Sequence, residues 1–288
     1  MAEETIAPPA GGEAAYWNGT ATRAWAEQHE RQDRALAGLA TKALELAAPQ
    51  PGERALDIGC GAGTTLLELA ARVGPAGHVT GADISQASVA RAGKRIAAAG
   101  LSNAVAICAD VERHAFAPAS FDLVFSRLGV MFFADPAAAF ANVHKAMKPG
   151  GRMTLAVFRT QRENPWPSAP QQAVAHLLPP PPPDRPNTAA MFSLGDPDRV
   201  HRILDRAGFR DVSLTPVDLD YLIAGSDGGA TEAAEFAMLF GPLTRILPEL
   251  SPERRADVRT ALETFFLGHA TPQGVALPAA FWLVQARA

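Results

Sequence analysis

The chain has 288 residues, 48% hydrophobic and 19% charged, with a net charge of −4. That is ample apolar material for one sizeable core and excludes a disordered chain. The mild acidity, without a Lys/Arg stripe, argues against a nucleic-acid backbone as partner and leaves a small molecule as the expected one. Two cysteines, Cys60 and Cys108, are too few for a disulfide framework and have no ligands at metal spacing beside them, so reduced thiols and no metal are expected. The first residues are acidic and Pro/Gly-rich, without the basic start and apolar run of a signal peptide. The most apolar region, 116–133, is broken by Asp122 and Arg127, which predicts no membrane span and a cytoplasmic protein.

In chain order, a tail leads into a helical pattern over 14–48, with Leu36, Leu39, Ala43, Leu44 and Leu46 on its inner face. A Pro/Gly breaker at 49–53 follows, then strand 54–58 and helix 64–73, ended by Gly74 and Pro75. Strand 78–82, helix 85–99, strand 104–109 and strand 121–126 come next. Asp135 is a good N-cap, with Pro136 as the first residue of a helix running through Met147. The turn 149–151 leads to strand 153–158. Such alternation predicts a parallel sheet covered by helices, with right-handed crossovers and ligand at the carboxyl ends of the strands. Beyond it, 159–187 carries a proline run and is expected to be an extended excursion. Then come helix 196–207, strand 211–219, turn 225–229, a helical stretch 231–268 and a last strand 280–286.

The first strand runs into a glycine loop, Asp57-Ile58-Gly59-Cys60-Gly61-Ala62-Gly63-Thr64. Glycines there let a ligand approach backbone N–H groups at a helix N-terminus. The dinucleotide fingerprint is G-x-G-x-x-G; here the third glycine, Gly63, comes one residue early. Asp57 would repel a pyrophosphate but accept hydrogen bonds from an ammonium group. Asp83 ends the second strand, where a carboxylate can hold the hydroxyls of a ribose. The third strand leads to Asp110 and Val111, a carboxylate for an exocyclic amine and an apolar side chain for a ring. Together these point to a nucleoside that bears an amino acid.

The segments LDIGCGAGT, GADIS, ADV, FDLVFSRLGVMFF and KPGGR, in this order and spacing, resemble the successive motifs of class I S-adenosylmethionine (SAM)-dependent methyltransferases. Among these the likeness is to the small-molecule branch that includes the ubiquinone/menaquinone C-methyltransferases. It covers 54–158 strongly and the final strand weakly. The resemblance implies an α/β fold, a Rossmann-like, mostly parallel seven-stranded sheet with helices on both faces. An antiparallel hairpin of 211–219 and 280–286 would close the sheet, and a helical cap would come from the insertions. The organisation it suggests is tail and helical arm (1–48), SAM-binding core (49–158), Pro-rich insertion (159–195), helix and strand completing the core (196–221), helical cap (222–278) and last strand (279–288). It also implies that Asp57, Gly59, Gly61 and Gly63 cradle the methionine part, Asp83 the ribose and Asp110 with Val111 the adenine. Cys60 and Ile84 complete the cofactor set, and Ser126 would lie near the methyl donor.

Methyl transfer needs alignment and water exclusion, and a base only when the acceptor must lose a proton. Candidates facing the acceptor are Tyr16, Trp17, Arg127, Met131, Phe132, Phe133 and Trp166. Aromatics such as Phe132 and Phe133 are more often core than site, and Arg127 is as readily a structural ion-pair partner. His114, His144 and His269 have no neighbour that marks a base, so the sequence names none. The expected function is methyl transfer to a small, partly apolar metabolite by a monomer or homodimer. The alternatives are a nicotinamide-dependent oxidoreductase, disfavoured by the glycine spacing and Asp57, and a SAM-binding protein without turnover.

Overall fold

The computed structural model describes residues 17–19, 27–180, 188–240 and 242–288. Helices α1 (His29–Ala35) and α2 (Ala37–Ala47) lead into β1 (Arg54–Ile58), α3 (Thr64–Val73), β2 (His78–Asp83), α4 (Gln86–Ala98) and β3 (Ala104–Cys108). Then come β4 (Phe121–Arg127), α5 (Pro136–Ala146), β5 (Met147–Phe158), the short α6 (Ala169–Ala173), α7 (Pro197–Arg206) and β6 (Arg210–Gly225). The chain closes with α8 (Gly229–Leu239), α9 (Pro252–Leu267), β7 (Ala270–Thr271) and β8 (Gly274–Arg287). The sheet runs β3-β2-β1-β4-β5-β8-β6, with β1 to β5 parallel and β8 antiparallel to both neighbours. The order reverses between β1 and β4, so right-handed crossovers send α3 and α4 to one face and α5 to the other. The carboxyl ends of β1 and β4 therefore open a crevice at the switch point.

The central strands are buried on both sides, which is why they read as continuous apolar runs. Leu56, Ile58, Leu123, Phe125 and Met153 are all fully buried. The helix starts follow side-chain caps. Ser85 accepts from the Ser88 amide, Asp135 from Ala138 and Asp196 from Asp198, satisfying amides that a first turn leaves open.

Several elements differ from the sequence expectation. The described part of the N-terminal arm is two helices, broken at Leu36 (φ −109°, ψ 8°). Helix α5 stops at Ala146, and β5 takes in Pro149, Gly150 and Gly151, with a register shift opposite Phe121 to Leu123. The closing hairpin is far longer than 211–219 and 280–286, because β6 continues to Gly225 and β8 starts at Gly274. The two-residue β7 adds an eighth strand to the expected seven. Prolines 242, 248 and 252 divide the expected helix 231–268 into α8, two 3-10 turns and α9.

The excursion after β5 is folded rather than extended through Leu177. It contains a Thr160–Glu163 capping box, α6 and a 3-10 turn. Buried Asn164 pins it to the sheet by donating to the Ala280 carbonyl at 3.1 Å and accepting from its amide at 2.9 Å. The rest of the proline run, 181–187, lies outside the described residues.

Candidate functional site

The glycine loop leaves β1 through three left-handed residues, Gly59 (φ 67°), Gly61 (φ 54°) and Gly63 (φ 90°), a conformation that side chains resist. Gly59 donates to the Ala82 carbonyl at 2.8 Å, holding the turn over β2. A Cβ at Gly63 would meet that of Ala92 at 3.0 Å, so the missing side chain lets α4 close on α3. A Cβ at Gly59 would lie 2.5 Å from Gly129 Cα. Gly129, in the turn after β4, was not singled out in the sequence; its signal was a glycine directly after the fourth strand. Ser126 fastens this contact. Its hydroxyl donates to the Ile58 carbonyl at 2.8 Å and accepts from the Gly129 amide at 3.2 Å. This fully buried hydroxyl joins the ends of β1 and β4.

Asp57 is fully buried on β1. Thr65 in the first turn of α3 donates to its Oδ2 at 2.7 Å, while Oδ1 has no partner among the described residues. Burial pushes its pKa up to about 7; the Thr65 bond and the charge of Arg127 oppose this, and Asp83 adds to it. Cys60 is buried beside these carboxylates, and burial holds its thiol far from ionisation. Asp83 accepts from the Gly61 amide at 2.9 Å and from the Ser85 amide at 2.8 Å, one on each oxygen. Each oxygen keeps lone-pair capacity for a further donor. Burial raises the Asp83 pKa against those two bonds.

At the next strand end, Asp110 Oδ1 accepts from the Glu112 amide at 3.0 Å, and Val111 is buried. Asn142 of α5 holds this turn by donating to the Val111 and His114 carbonyls, both at 2.9 Å. Half-buried Ile84 presents its carbonyl to Asn18 Nδ2 at 3.0 Å, which ties the N-terminal arm to the end of β2.

Helix α1 lies across the loop. Asp33 accepts from Thr64 Oγ1, from Arg127 Nη2 at 3.3 Å, and pairs with Arg95 at 3.5 Å. Arg127 thus has the structural ion pair left open as one of its readings, yet its Nη1 is buried without a hydrogen-bond partner among the described residues. One residue earlier on α1, Gln32 Oε1 accepts from the Tyr221 hydroxyl at 2.9 Å. The Tyr221 ring stacks on Trp166 at 4.4 Å with planes 1° apart, and burial drives the phenol pKa upward against the pull of Arg127. Gln32, Asp33 and Tyr221 were missed in the sequence, as was His29, whose buried Nδ1 lacks a partner among the described residues.

Of the remaining candidates, Trp17 packs edge-on to Phe132 at 5.0 Å, closing the arm against the turn after β4. Phe133 packs on Phe140 at 5.6 Å, and Met131 is buried with its carbonyl accepting from Ser193 Oγ. These two serve the core. Tyr16 lies outside the described residues. His114 packs on Phe116, His144 on Phe209 and His269 on Phe265. The loop, Asp57, Asp83 and the Asp110–Val111 turn stand along successive strand ends. That row offers an acceptor for an ammonium, acceptors for a diol and an apolar wall with a carboxylate for a heteroaromatic amine.

The family profile described as "Methyltransferase domain" matches residues 49–208. The aklanonic acid methyltransferase of a Streptomyces strain is 38% identical over 118 residues, covering 40% of this chain and 54% of that protein. The nocamycin O-methyltransferase of Saccharothrix syringae is 36% identical, covering 41% of this chain and 42% of that one. The chain thus spans about half the length of these curated relatives, or less. Among solved structures, phosphoethanolamine N-methyltransferase 2 of Haemonchus contortus in complex with SAM superposes with a TM-score of 0.59 at 16% identity. That match covers 95% of this chain and 59% of the other, a likeness of fold.

Proposed function

This chain belongs to the methyltransferase-domain family, and from that premise we propose that it is a SAM-dependent methyltransferase acting on a small, partly apolar metabolite. One observation carries the reading. A fully buried carboxylate, Asp57, keeps one oxygen without a partner among the described residues, at the base of a loop of left-handed glycines. An orphaned buried acceptor is costly, and the α-ammonium of the cofactor's methionine part would satisfy it. The same carboxylate is unsuited to a pyrophosphate, which weighs against the nicotinamide alternative. Asp83 would take the ribose hydroxyls on its remaining lone pairs, Ile84 and Val111 would flank the adenine, and Asp110 would face its amine. Ser126 and Gly129 hold the two strand ends in register for this.

When bound, the cofactor supplies a methyl carbon already activated by its sulfonium. The residues of this chain need only bind, align and exclude water, and the α1 face and Trp17 on Phe132 would do the last. The same proposal includes a small-molecule acceptor, no nucleic-acid partner, a monomer or homodimer, and a cytoplasmic location. Among the described residues, no helix is long and apolar enough to cross a membrane. The test is thermal: SAM or its demethylated product at a hundredfold excess over Kd should stabilise the fold by about 2.7 kcal/mol, while NAD and NADP should not. Stabilisation by NAD alone would reverse the assignment.

A further inference from the structure

The consecutive residues Arg31 to Arg34 of α1 reach three different parts of the molecule. Arg31 and Arg34, neighbours on one helix face, meet the cap helix α8. Arg34 Nη2 donates to Glu232 Oε1 at 2.6 Å, and Arg31 pairs with Glu232 at 3.6 Å and with Glu235 at 3.2 Å. Gln32 accepts from Tyr221 on β6. Asp33 meets the start of α3, accepting from Thr64 Oγ1 and pairing with Arg95 at 3.5 Å. Arg95 in turn donates to the Ala62 carbonyl of the glycine loop at 3.0 Å and to Thr64 Oγ1 at 2.8 Å. With seven residues and no side-chain cap, α1 has little stability of its own, so these contacts decide where it lies.

At the cap end the contacts converge on Glu232, whose side chain is only 14% exposed. Its Oε1 holds both arginines, while Oε2 accepts from the Gly225 amide at 3.1 Å where β6 ends. A Cβ at Gly228 would lie 2.2 Å from Oε2, so the bare backbone there makes room for the carboxylate. Glu232 thus joins α8, the end of the hairpin and α1, and Asp33 with Arg95 joins α1 to the loop.

We propose that Glu232 is a positioning residue for the cofactor site. It acts through Arg31, Arg34 and Asp33 on the glycine loop, so that docking of the cap and binding of the cofactor favour each other. The inference rests on the methyltransferase reading above and deepens it, adding a control of cofactor affinity exerted from the cap. Such coupling is reciprocal: a cap held in place tightens the cofactor, and a bound cofactor holds the cap.

Calorimetric titration with S-adenosylhomocysteine tests this. Glu232→Gln keeps the size of the side chain and an acceptor for Gly225 but removes the charge; it should weaken binding about three- to tenfold. Arg34→Gln removes the same pair from its half-exposed side and should do likewise, which keeps the test open should Glu232→Gln fail to fold. Because the effect runs through Asp33, Glu232→Gln should change affinity by about twofold or less in an Asp33→Ala background. In hydrogen exchange, S-adenosylhomocysteine should slow the amides of α8 in wild type and not in Asp33→Ala, a response that a merely structural ion pair would not give. Wild-type affinity in Glu232→Gln and Arg34→Gln, a Glu232→Gln loss that adds in full to that of Asp33→Ala, or α8 amides indifferent to the ligand in wild type would overturn the positioning role while leaving the function standing. A folded wild-type protein that does not bind S-adenosylhomocysteine would overturn both.

Discussion

Gly129→Ala isolates the contact on which the site geometry depends. Gly129 sits at φ −93°, ψ −26°, open to any residue, so alanine meets no backbone penalty. Its Cβ would lie 2.5 Å from the Ile58 carbonyl oxygen, 2.7 Å from Gly59 Cα and 3.0 Å from Ser126 Oγ. Two of these are backbone atoms and cannot rotate away. Contacts near 3.5 Å require the strand ends to part by about 1 Å, against the two Ser126 hydrogen bonds. Overpacking of this kind costs about 1–3 kcal/mol, and weakening the Ser126 bonds adds about 1 kcal/mol. The expected loss is about 2–4 kcal/mol by urea unfolding, with cofactor affinity reduced more than tenfold because the glycine loop moves. Gly93→Ala is the control. The change is chemically identical, but it falls in the α4 interior with nothing within 4 Å of the new Cβ, and it should gain about 0.5–1 kcal/mol. Wild-type stability and cofactor affinity in Gly129→Ala would refute the argument.

Asp57 makes stability depend on pH. Its pKa rises from 3.8 to about 7 on folding, so the folded chain holds a proton that the unfolded chain releases. The stabilisation is full below about pH 4 and is lost as pH rises through 7. Tm of the cofactor-free protein from pH 4 to 8 should fall less steeply in Asp57→Asn than in wild type, and equal slopes would remove Asp57 as the cause. Thr65→Val deletes the one hydrogen bond that favours the Asp57 carboxylate and should extend that decline to higher pH. Asp33→Ala leaves Arg127 and Arg95 without their shared carboxylate and should cost about 1–2 kcal/mol in denaturant unfolding. Asp33→Asn, which keeps an acceptor, should cost less.

The stretch from β1 to β5 was legible because parallel strands buried on both faces read as apolar runs between glycine and capping residues. The glycine loop, Asp57, Asp83 and Asp110 fell where local pattern placed them. What was illegible depends on packing between distant segments. Gln32 and Asp33 look like the polar face of a solvated helix; only the fold shows that face turned inward against Arg127 and Tyr221. In the hairpin, Asp220 on β6 and Pro278 on β8 read as lying beyond the strand ends, and Asp218 as close to one. The aspartates are tolerated because β6 is an edge strand whose outer residues meet solvent, and Pro278 because the pairing of β8 with β5 ends at Phe281, which leaves that side of Pro278 outside the ladder. Likewise nothing local to Ser126 reveals that its hydroxyl donates to Ile58 and accepts from Gly129.

The central claim is tested most directly by calorimetric titration of the wild-type protein and of Asp83→Ala with SAM and S-adenosylhomocysteine. One site per chain for both nucleosides in wild type, with affinity sharply reduced in Asp83→Ala, is the predicted result. A folded wild-type protein that binds neither nucleoside would contradict it.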